Sequence, residues 1–482
     1  MGISFRLPLF IIGLLLMPLA AAMMVSAGVD IYADNPDWRA FSYSAAITLF
    51  AGTALMLTMR GGAADLGIRE AFVLTTLSWT VIAMFAALPF LLSDAKLHIA
   101  DAIFESISGL TTTGSTVLPG LDTRPPGILL WRSLLQWIGG IGIIVMAIAL
   151  LPFLRVGGMQ LFQTESSERS EKVLPRATDL AIASGRIYAS LTVFCALAYM
   201  ATGMTAFEAV CHAMTTLSTG GFSTSDASMA KFGPGAQWFA IIFMTAAGLP
   251  FVRYIQVLRG NAAPLWRDPQ VRLFLTFAAI VIAVVTVRHW WAYGGPLERA
   301  FREVAFNVIS IVTTTGFVNS DYQSWGGFAQ VLFLMLTFFG ACSGSTSGGI
   351  KMFRFHIMGR AFTNHIFKLL YPHAVRPFTY GGRTVTEQDV GSVLAFWATY
   401  VASVAAVALA LAAFGLDFDT AATGAATAVS NVGPGLGPII GPVGHFASLP
   451  DGAKWVLSFA MLLGRLELFT VLVLFLPRFW RD

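Results

Sequence analysis

Along this chain, long apolar stretches alternate with short polar ones. A run of about 20 apolar residues can cross the hydrocarbon layer of a bilayer as a helix. On that basis the pattern predicts ten spans, at 7–27, 40–59, 70–93, 127–154, 180–202, 235–257, 272–292, 326–356, 388–414 and 452–477. The first follows Arg6 and is longer than the apolar core of a secretory signal, so the sequence predicts a retained span. Beyond the second span, shorter helical stretches lie between spans, and each leads into a turn of small residues. These turns are Thr111-Thr112-Thr113-Gly114-Ser115, Ser218-Thr219-Gly220-Gly221-Phe222, Thr314-Thr315-Gly316-Phe317 and the looser Ser430-Asn431-Val432-Gly433-Pro434. Taking Gly114, Gly220, Gly316 and Gly433 as equivalent, the spacings are 106, 96 and 117 residues. The predicted fold class is an all-α polytopic membrane protein. Two N-terminal helices (1–60) precede four units of helix, re-entrant helix, turn and helix, at 61–165, 166–262, 263–375 and 376–482.

Turns of this kind have a physical use inside a membrane. Non-helical backbone survives at membrane depth only when buried in protein or facing water. Carbonyl oxygens from several turns around one axis can replace the water shell of a monovalent cation. Glycine accepts φ > 0 without a Cβ clash, so successive carbonyls can point the same way. The expectation is one ion filter built from Thr112, Thr113, Gly114, Ser218, Thr219, Gly220, Thr314, Thr315, Gly316, Asn431, Val432 and Gly433. It requires the four glycines to lie together.

Composition agrees with the span pattern: 56% of residues are hydrophobic and 12% charged, against roughly a quarter charged in soluble domains. Three dispersed cysteines and seven scattered histidines offer no disulfide framework or metal-ligand spacing. Basic residues favour cytoplasmic loops. With the N-terminus inside, the inner segments hold 20 of the 30 Lys and Arg residues, which predicts cytoplasmic N- and C-termini and turns entering from outside. Of the 26 acids, 15 fall in outer segments, among them Asp101, Asp122, Glu208, Glu303, Asp321 and Asp419. They read either as an acidic vestibule that concentrates cations or as ordinary solvated loop charges. Asp101, Glu208, Glu303 and Asp419 stand 12 to 14 residues before the four glycines, where an acid in a first helical turn is favoured by the helix dipole.

Two features interrupt the spans. Gly340 to Gly349 holds no large side chain and is a poor helix, since each Gly costs about 1 kcal/mol relative to Ala. A loop there would obstruct a pathway below the turns; the alternative is a surface for close helix packing. Arg465 lies mid-span, where a guanidinium needs water or a partner. Glu467, two positions on, leaves the helix on another face. Carbonyls of the 340–349 loop, or pore water below the turns where a fixed positive charge would oppose cation flow, are the expected partners of Arg465, and an ion pair to another helix is the other reading. Gly344 to Lys351 is superficially similar to a phosphate loop, but Ile350 stands where lysine is required.

With these motifs in phase, the chain resembles the Trk/Ktr/HKT superfamily of potassium transporters, in particular its bacterial TrkH/TrkG branch. The motifs are Thr112-Thr113-Gly114, Ser218 to Phe222, Thr314 to Phe317, Asn431 to Gly437, Gly340 to Lys351, and Gly464 to Glu467. The resemblance implies four channel-like repeats around one pore and potassium uptake across a bacterial inner membrane. It also implies a homodimer and a cytoplasmic TrkA-like nucleotide-binding regulatory subunit. An intramembrane gate would be formed by Gly340, Gly344, Ser345, Thr346, Ser347, Gly348, Gly349 and Lys351, with Arg465. Plant relatives with Ser at the first filter glycine favour sodium, so Gly114 argues for K⁺, bound transiently in the filter with no organic cofactor and no nucleic-acid partner. The alternative to a gated uptake protein is a symporter coupling K⁺ to H⁺ or Na⁺, with Arg465 and Glu467 as the coupling candidates. A membrane enzyme would need a nucleophile–base pair or metal cluster, and the sequence offers neither.

Overall fold

A computed structural model describes residues 4–61, 67–149, 177–373, 379–381 and 383–481. Helices α1 (Arg6–Tyr32) and α2 (Trp38–Met59) pack as an antiparallel pair. They meet most closely at Gly13 and Gly52, where a Cβ on either glycine would lie within 3.0 Å of the other's carbonyl oxygen. At the C-terminal end of α1, the Asp30 carboxylate accepts the Gly127 N–H at 2.7 Å. This satisfies a first-turn donor of the next long helix, which has no intrahelical acceptor of its own.

The order helix, short helix, turn, helix then occurs four times. First come α3 (Ile68–Ala86) with α4 (Leu88–Leu92), α5 (Ile99–Leu110) and α6 (Pro126–Ala149). Next are α7 (Ala177–Ala201), α8 (Ala206–Leu217), and α9 (Pro234–Ala247) with α10 (Phe251–Leu258). After the short α11 (Ala263–Arg267) follow α12 (Pro269–Tyr293), α13 (Leu297–Val312), α14 (Gly327–Thr337) and α15 (Met352–Leu370). A two-stranded hairpin, β1 (Thr379–Tyr380) and β2 (Arg383–Thr384), leads to α16 (Glu387–Ala413), α17 (Phe418–Ser430), α18 (Asp451–Arg465), α19 (Phe469–Leu472) and α20 (Pro477–Trp480).

Among the described residues, seven helices are long and apolar enough to cross a membrane, or nine when two bent pairs each count as one span. The protein is a multi-pass membrane protein. The segments expected to span at 235–257 and 452–477 are each bent. Helices α9 and α10 meet at 95°, because Pro250 lacks an N–H and its ring excludes a continuous helix. Helices α18 and α19, with the 3₁₀ turn after them, meet at 108°, where Glu467 and Leu468 take φ of 62° and 40°. The predicted break at 340–349 separates α14 from α15, and α15 continues to Leu370, past the expected end at 356. The last residues of the span expected at 127–154, most of the basic segment 155–186, and the unit boundary at 165 lie outside the described residues.

Two apolar cores hold the helices. One joins α1, α3, α5 and α6 to α16, α17 and α18; the other joins α7, α8, α9, α12 and α13. First and fourth units therefore share one core, and second and third the other.

Candidate functional site

Each short helix ends on one of the four turns, with its C-terminal carbonyl end, the negative pole of its dipole, toward them. In α5 every residue from Ala102 to Leu110 is buried, and in α17 all but Ala422 from Thr420 to Ser430. The turns share one backbone signature. A non-glycine residue with positive φ is followed two residues later by a glycine with positive φ: Thr112 (54°) and Gly114 (88°), Thr219 (52°) and Gly221 (76°), Thr314 (58°) and Gly316 (80°), Asn431 (56°) and Gly433 (107°). Alternation between right- and left-handed backbone turns successive peptide carbonyls to one side. Thr112, Thr219 and Thr314 are β-branched, and such residues rarely accept positive φ. Each such residue stores about 1–3 kcal/mol of strain that its surroundings must offset.

The signature also corrects the alignment of the second turn. Gly221, not Gly220, is the equivalent of Gly114, Gly316 and Gly433, while Gly220 occupies the place of Thr113, Thr315 and Val432. Thr113, Gly220, Thr315 and Val432 each donate the N–H to the carbonyl of the short-helix residue five positions back (Ser108, Thr215, Ser310, Thr427), at 2.7 to 3.0 Å. Two adjacent glycines hid this shift, because sequence alone does not say which of them takes positive φ.

The four turns close a ring. A Cβ on Gly114 would collide with the Gly220 carbonyl, one on Gly221 with that of Thr315, and one on Gly316 with that of Val432. The circuit ends where a Cβ on Gly433 would lie 2.7 Å from the Thr113 oxygen. Glycine is thus required for φ and again for the approach of the next turn. Ser115 Oγ donates to the Gly433 carbonyl at 2.8 Å, and Asn431 Nδ2 to Thr113 Oγ1 at 2.9 Å, lacing the first turn to the fourth.

Nine residues before three of the four ring glycines, the short helix carries a brace that the sequence reading missed. Glu105 accepts from Thr116 Oγ1 and the Val117 N–H, both at 2.9 Å, and pairs with Arg132 of α6 at 2.7 Å, fully buried. Arg132 also donates to the Ser223 carbonyl at 2.8 Å and lies over the Phe222 ring, linking first and second turns. His212 Nε2 meets Ser223 Oγ at 3.0 Å, and Asn307 Nδ2 donates to Asn319 Oδ1 at 2.7 Å. In the fourth unit this position is Gly424, and the neighbouring Thr423 hydroxyl accepts the Leu436 N–H at 2.9 Å. Glu105, His212 and Asn307 stand at one offset from their turns, and a comparison of the units at that offset is the signal that could have found them.

On one side of the ring sits the 340–349 segment. Its ends lie side by side as a parallel bridge between Phe339 and Ile350, with Gly344 and Gly349 at φ of 76° and 63°. Its backbone satisfies groups exposed by the break between α9 and α10. The Cys342 N–H donates to the Gly248 carbonyl at 3.0 Å, and the Phe251 N–H to the Gly344 carbonyl at 2.9 Å. Inside the loop, Ser345 Oγ donates to the Cys342 carbonyl at 2.6 Å and lies 2.9 Å from Ser347 Oγ. A Cβ on Gly340 would strike the Gly348 carbonyl.

The left-handed residues of the ring reach this loop. Thr219 Oγ1 donates to Thr346 Oγ1 at 3.3 Å, and Thr314 Oγ1 accepts the Gly348 N–H at 2.6 Å. A Cβ on Gly348 would lie 3.0 Å from that of Asn431. Arg465 donates to the Thr346 carbonyl at 2.9 Å, the loop-carbonyl partner anticipated for it. Lys351 caps the start of α15 and folds its Nζ onto the Ser347 carbonyl and, at 3.2 Å, the Ser347 hydroxyl. Glu467 pairs with Arg354 at 2.6 Å, and Arg354 lies over the Phe396 ring.

Opposite the loop is a cavity of about 270 Å³, lined by all four ring glycines together with Arg132, Ser223, Asp226 and His445. Below the loop, a space of about 20 Å³, room for about one water, lies among Gly348, Lys351, Arg465 and Glu467. Asp226 is the one carboxylate among the residues lining the large cavity, and Asp122 lies behind it, bonded to Ser225 and the Asp226 N–H. The outer acids are mostly engaged: Asp101 with Lys454 at 2.5 Å, Glu208 with Lys231 at 3.0 Å, Asp122 with Lys231 at 3.2 Å. Glu303 pairs with Arg299 at 2.7 Å and is not in a first turn; α13 begins at Leu297, and its first-turn acid is Glu298. Burial alone would raise the Asp122 carboxyl, but the Ser225 hydroxyl, the Lys231 ammonium and the Asp226 N–H hold it below its ordinary value. Among the described residues no cluster of His, Cys, Asp or Glu could hold a metal ion, and backbone oxygens are the ligand set the ring presents.

A family described as TrkH, cation transport protein, matches residues 39–481. The chain is 46% identical over 476 residues to the Trk system potassium uptake protein TrkI of Halomonas elongata, covering 98% of this chain and 96% of that one. It is 38% identical to the Trk system potassium uptake protein TrkH of Escherichia coli K12, over 99% and 100% of the two chains. Its fold superposes with a TM-score of 0.92 on the crystal structure of the potassium transporter TrkH from Vibrio parahaemolyticus, at 35% identity over 99% of this chain and 100% of that one.

Proposed function

The chain belongs to the TrkH family of cation transport proteins, and from that premise we propose that it takes up potassium through the ring of four turns, with the 340–349 loop as its gate. The observation that carries this reading is the closed circuit of Gly114, Gly221, Gly316 and Gly433 against the carbonyls of Gly220, Thr315, Val432 and Thr113. A dehydrated monovalent cation is stabilised by inward carbonyl dipoles at low cost, because strained backbone holds them in place before the ion arrives. Four unequal turns pass Rb⁺ and some Na⁺ more readily than four identical ones would.

In this reading the cation enters from the 270 Å³ cavity, loses water at the ring, and is stopped by the loop, whose Thr346 carbonyl is held by Arg465. The guanidinium places a positive charge on the exit path. Opening requires the loop to leave Thr219, Thr314 and Arg465, which a cytoplasmic TrkA-like nucleotide-sensing subunit drives by pulling on α15. The protein works as a homodimer in a bacterial inner membrane, with both termini cytoplasmic and the turns entering from outside. The four repeats span 61–165, 166–262, 263–375 and 376–482, behind two additional helices in 1–60.

Purified protein in liposomes tests this by K⁺, Rb⁺ and Na⁺ flux compared side by side. Uptake of K⁺ and Rb⁺ well above Na⁺ is expected, and equal flux of all three would remove the filter. The symport reading rests on Glu467, which is paired with Arg354; proton flux that tracks K⁺ and disappears in Glu467→Gln would favour it.

A further inference from the structure

The second turn differs from the other three at one place. Where the first, third and fourth carry Thr113, Thr315 and Val432, it carries Gly220, with no side chain. In the first and third turns that side chain stiffens the backbone: Thr113 Oγ1 lies 2.7 Å from Thr111 Oγ1, and Thr315 Oγ1 2.8 Å from Thr313 Oγ1. At Gly220 the space for a Cβ is taken by another residue. The three nearest atoms to that position are Cδ, Oε1 and Nε2 of Gln136, a buried residue of α6 in the first unit.

Gln136 Nε2 donates to the Gly220 carbonyl at 2.6 Å, and its Oε1 accepts the Phe222 N–H at 3.0 Å. One amide therefore holds both peptide groups flanking Gly221, the residue of positive φ. Its orientation follows from its partners, since a carbonyl can only accept and a peptide N–H can only donate. The Gly220 carbonyl is also the one packed against Gly114 in the ring. The amide thus fixes the position of one of the four ring oxygens and draws on part of its lone-pair capacity.

We propose that Gln136 is a positioning residue for ion discrimination, supplying to the second turn, from the neighbouring unit, the side-chain restraint that the first and third turns carry within themselves. The proposal rests on the ring being the filter. It accounts for glycine at 220, where any Cβ would displace the amide. It also makes the discrimination of the second turn depend on the packing of the first unit.

Gln136→Leu keeps the volume and removes both hydrogen bonds. In liposome flux with K⁺ and Na⁺ in competition, the K⁺ over Na⁺ preference is expected to fall roughly three- to thirtyfold, the range for losing one to two net hydrogen bonds. The maximal K⁺ rate should change less. Gln136→Ala with Gly220→Thr rebuilds the within-turn pair against Ser218 and is expected to recover part of the preference, a rescue that a merely structural role for Gln136 would not give. Gly114→Ser separates the two levels of the argument. If it lowers preference while Gln136→Leu retains the wild-type ratio, this proposal falls and the filter stands; if neither variant alters the ratio, the filter reading falls first. Should Gln136→Leu not fold, the double variant decides, a selective folded protein supporting the proposal and an unselective one overturning it. Failure of both variants to fold assigns Gln136 to folding and overturns it too.

Discussion

Thr112, Thr219 and Thr314 hold a conformation that threonine rarely accepts. Asn431 tolerates it more easily, since its short polar side chain visits the left-handed region more often. The strain recurs at one place in all four units, and the Thr219 and Thr314 side chains hydrogen-bond the 340–349 loop, so it belongs to the site and not to a local accident. The register of the second turn has a direct consequence. Gly221→Ala combines about 1–2 kcal/mol of left-handed strain with a collision against the backbone carbonyl of Thr315. It is expected to lower Rb⁺ uptake at least tenfold, on the order of 1.4 kcal/mol. Gly220→Ala meets only the movable amide of Gln136 and should retain more of the rate; uptake by the two variants in a potassium-transport-deficient host checks this. In the loop after the second turn, Lys231 bridges Asp122 and Glu208. The folded Asp122 carboxyl lies below its ordinary value, so its contribution to stability is complete above about pH 4 and is lost as pH falls through the folded value. The thermal midpoint should therefore decline on acidification below about pH 4, and Lys231→Ala should flatten that decline.

Broken helices are the distinctive elements. Each break exposes carbonyls and N–H groups that lipid cannot satisfy, and two breaks satisfy each other: Gly248 and Phe251 from the α9–α10 bend bond Cys342 and Gly344 of the loop. The bend in the second unit is therefore the loop's platform. Arg465 sits at the end of α18, immediately before the α18–α19 bend, and adds one hydrogen bond to Thr346. Arg465→Ala removes that bond and the positive charge, and basal flux in liposomes should rise several-fold with the protein still folded. Unchanged flux would leave Arg465 as a structural residue. The loop is not a Gly/Ser surface for helix packing, because its small residues are used for turns at Gly344 and Gly349 and for contact with Asn431.

Across the whole molecule, the ring joins two cores, one shared by the first and fourth units and one by the second and third. The turns are thus supported from all sides, and a local change is resisted by packing that spans the chain. The Arg354–Glu467 pair ties α15 to the bend after α18 beside the loop. Arg354→Met leaves a buried carboxylate without this partner, and breaking a buried pair costs roughly 3–5 kcal/mol. A lowered thermal midpoint in detergent is the expected result, with Arg354→Met/Glu467→Leu recovering much of it.

The multi-pass character, the recurrence of the turns, the break at 340–349 and the isolation of Arg465 were legible in the sequence, because each depends on local composition: apolar length, glycine content, one charge in an apolar run. Ten spans were expected, and among the described residues seven to nine are long and apolar enough to cross. Hydrophobicity does not record direction, so the bends at Pro250 and Glu467 were not legible there. Glycine identity does not record φ, so Gly220 stood in for Gly221. The partners of Glu105, His212 and Asn307, the pairing of Glu467 with Arg354, and the amide of Gln136 between Gly220 and Phe222 were decided by tertiary structure alone. A buried polar side chain takes its role from whichever backbone group folding brings within about 3 Å, and residues 84 and 86 positions apart along the chain meet only when the ring has closed.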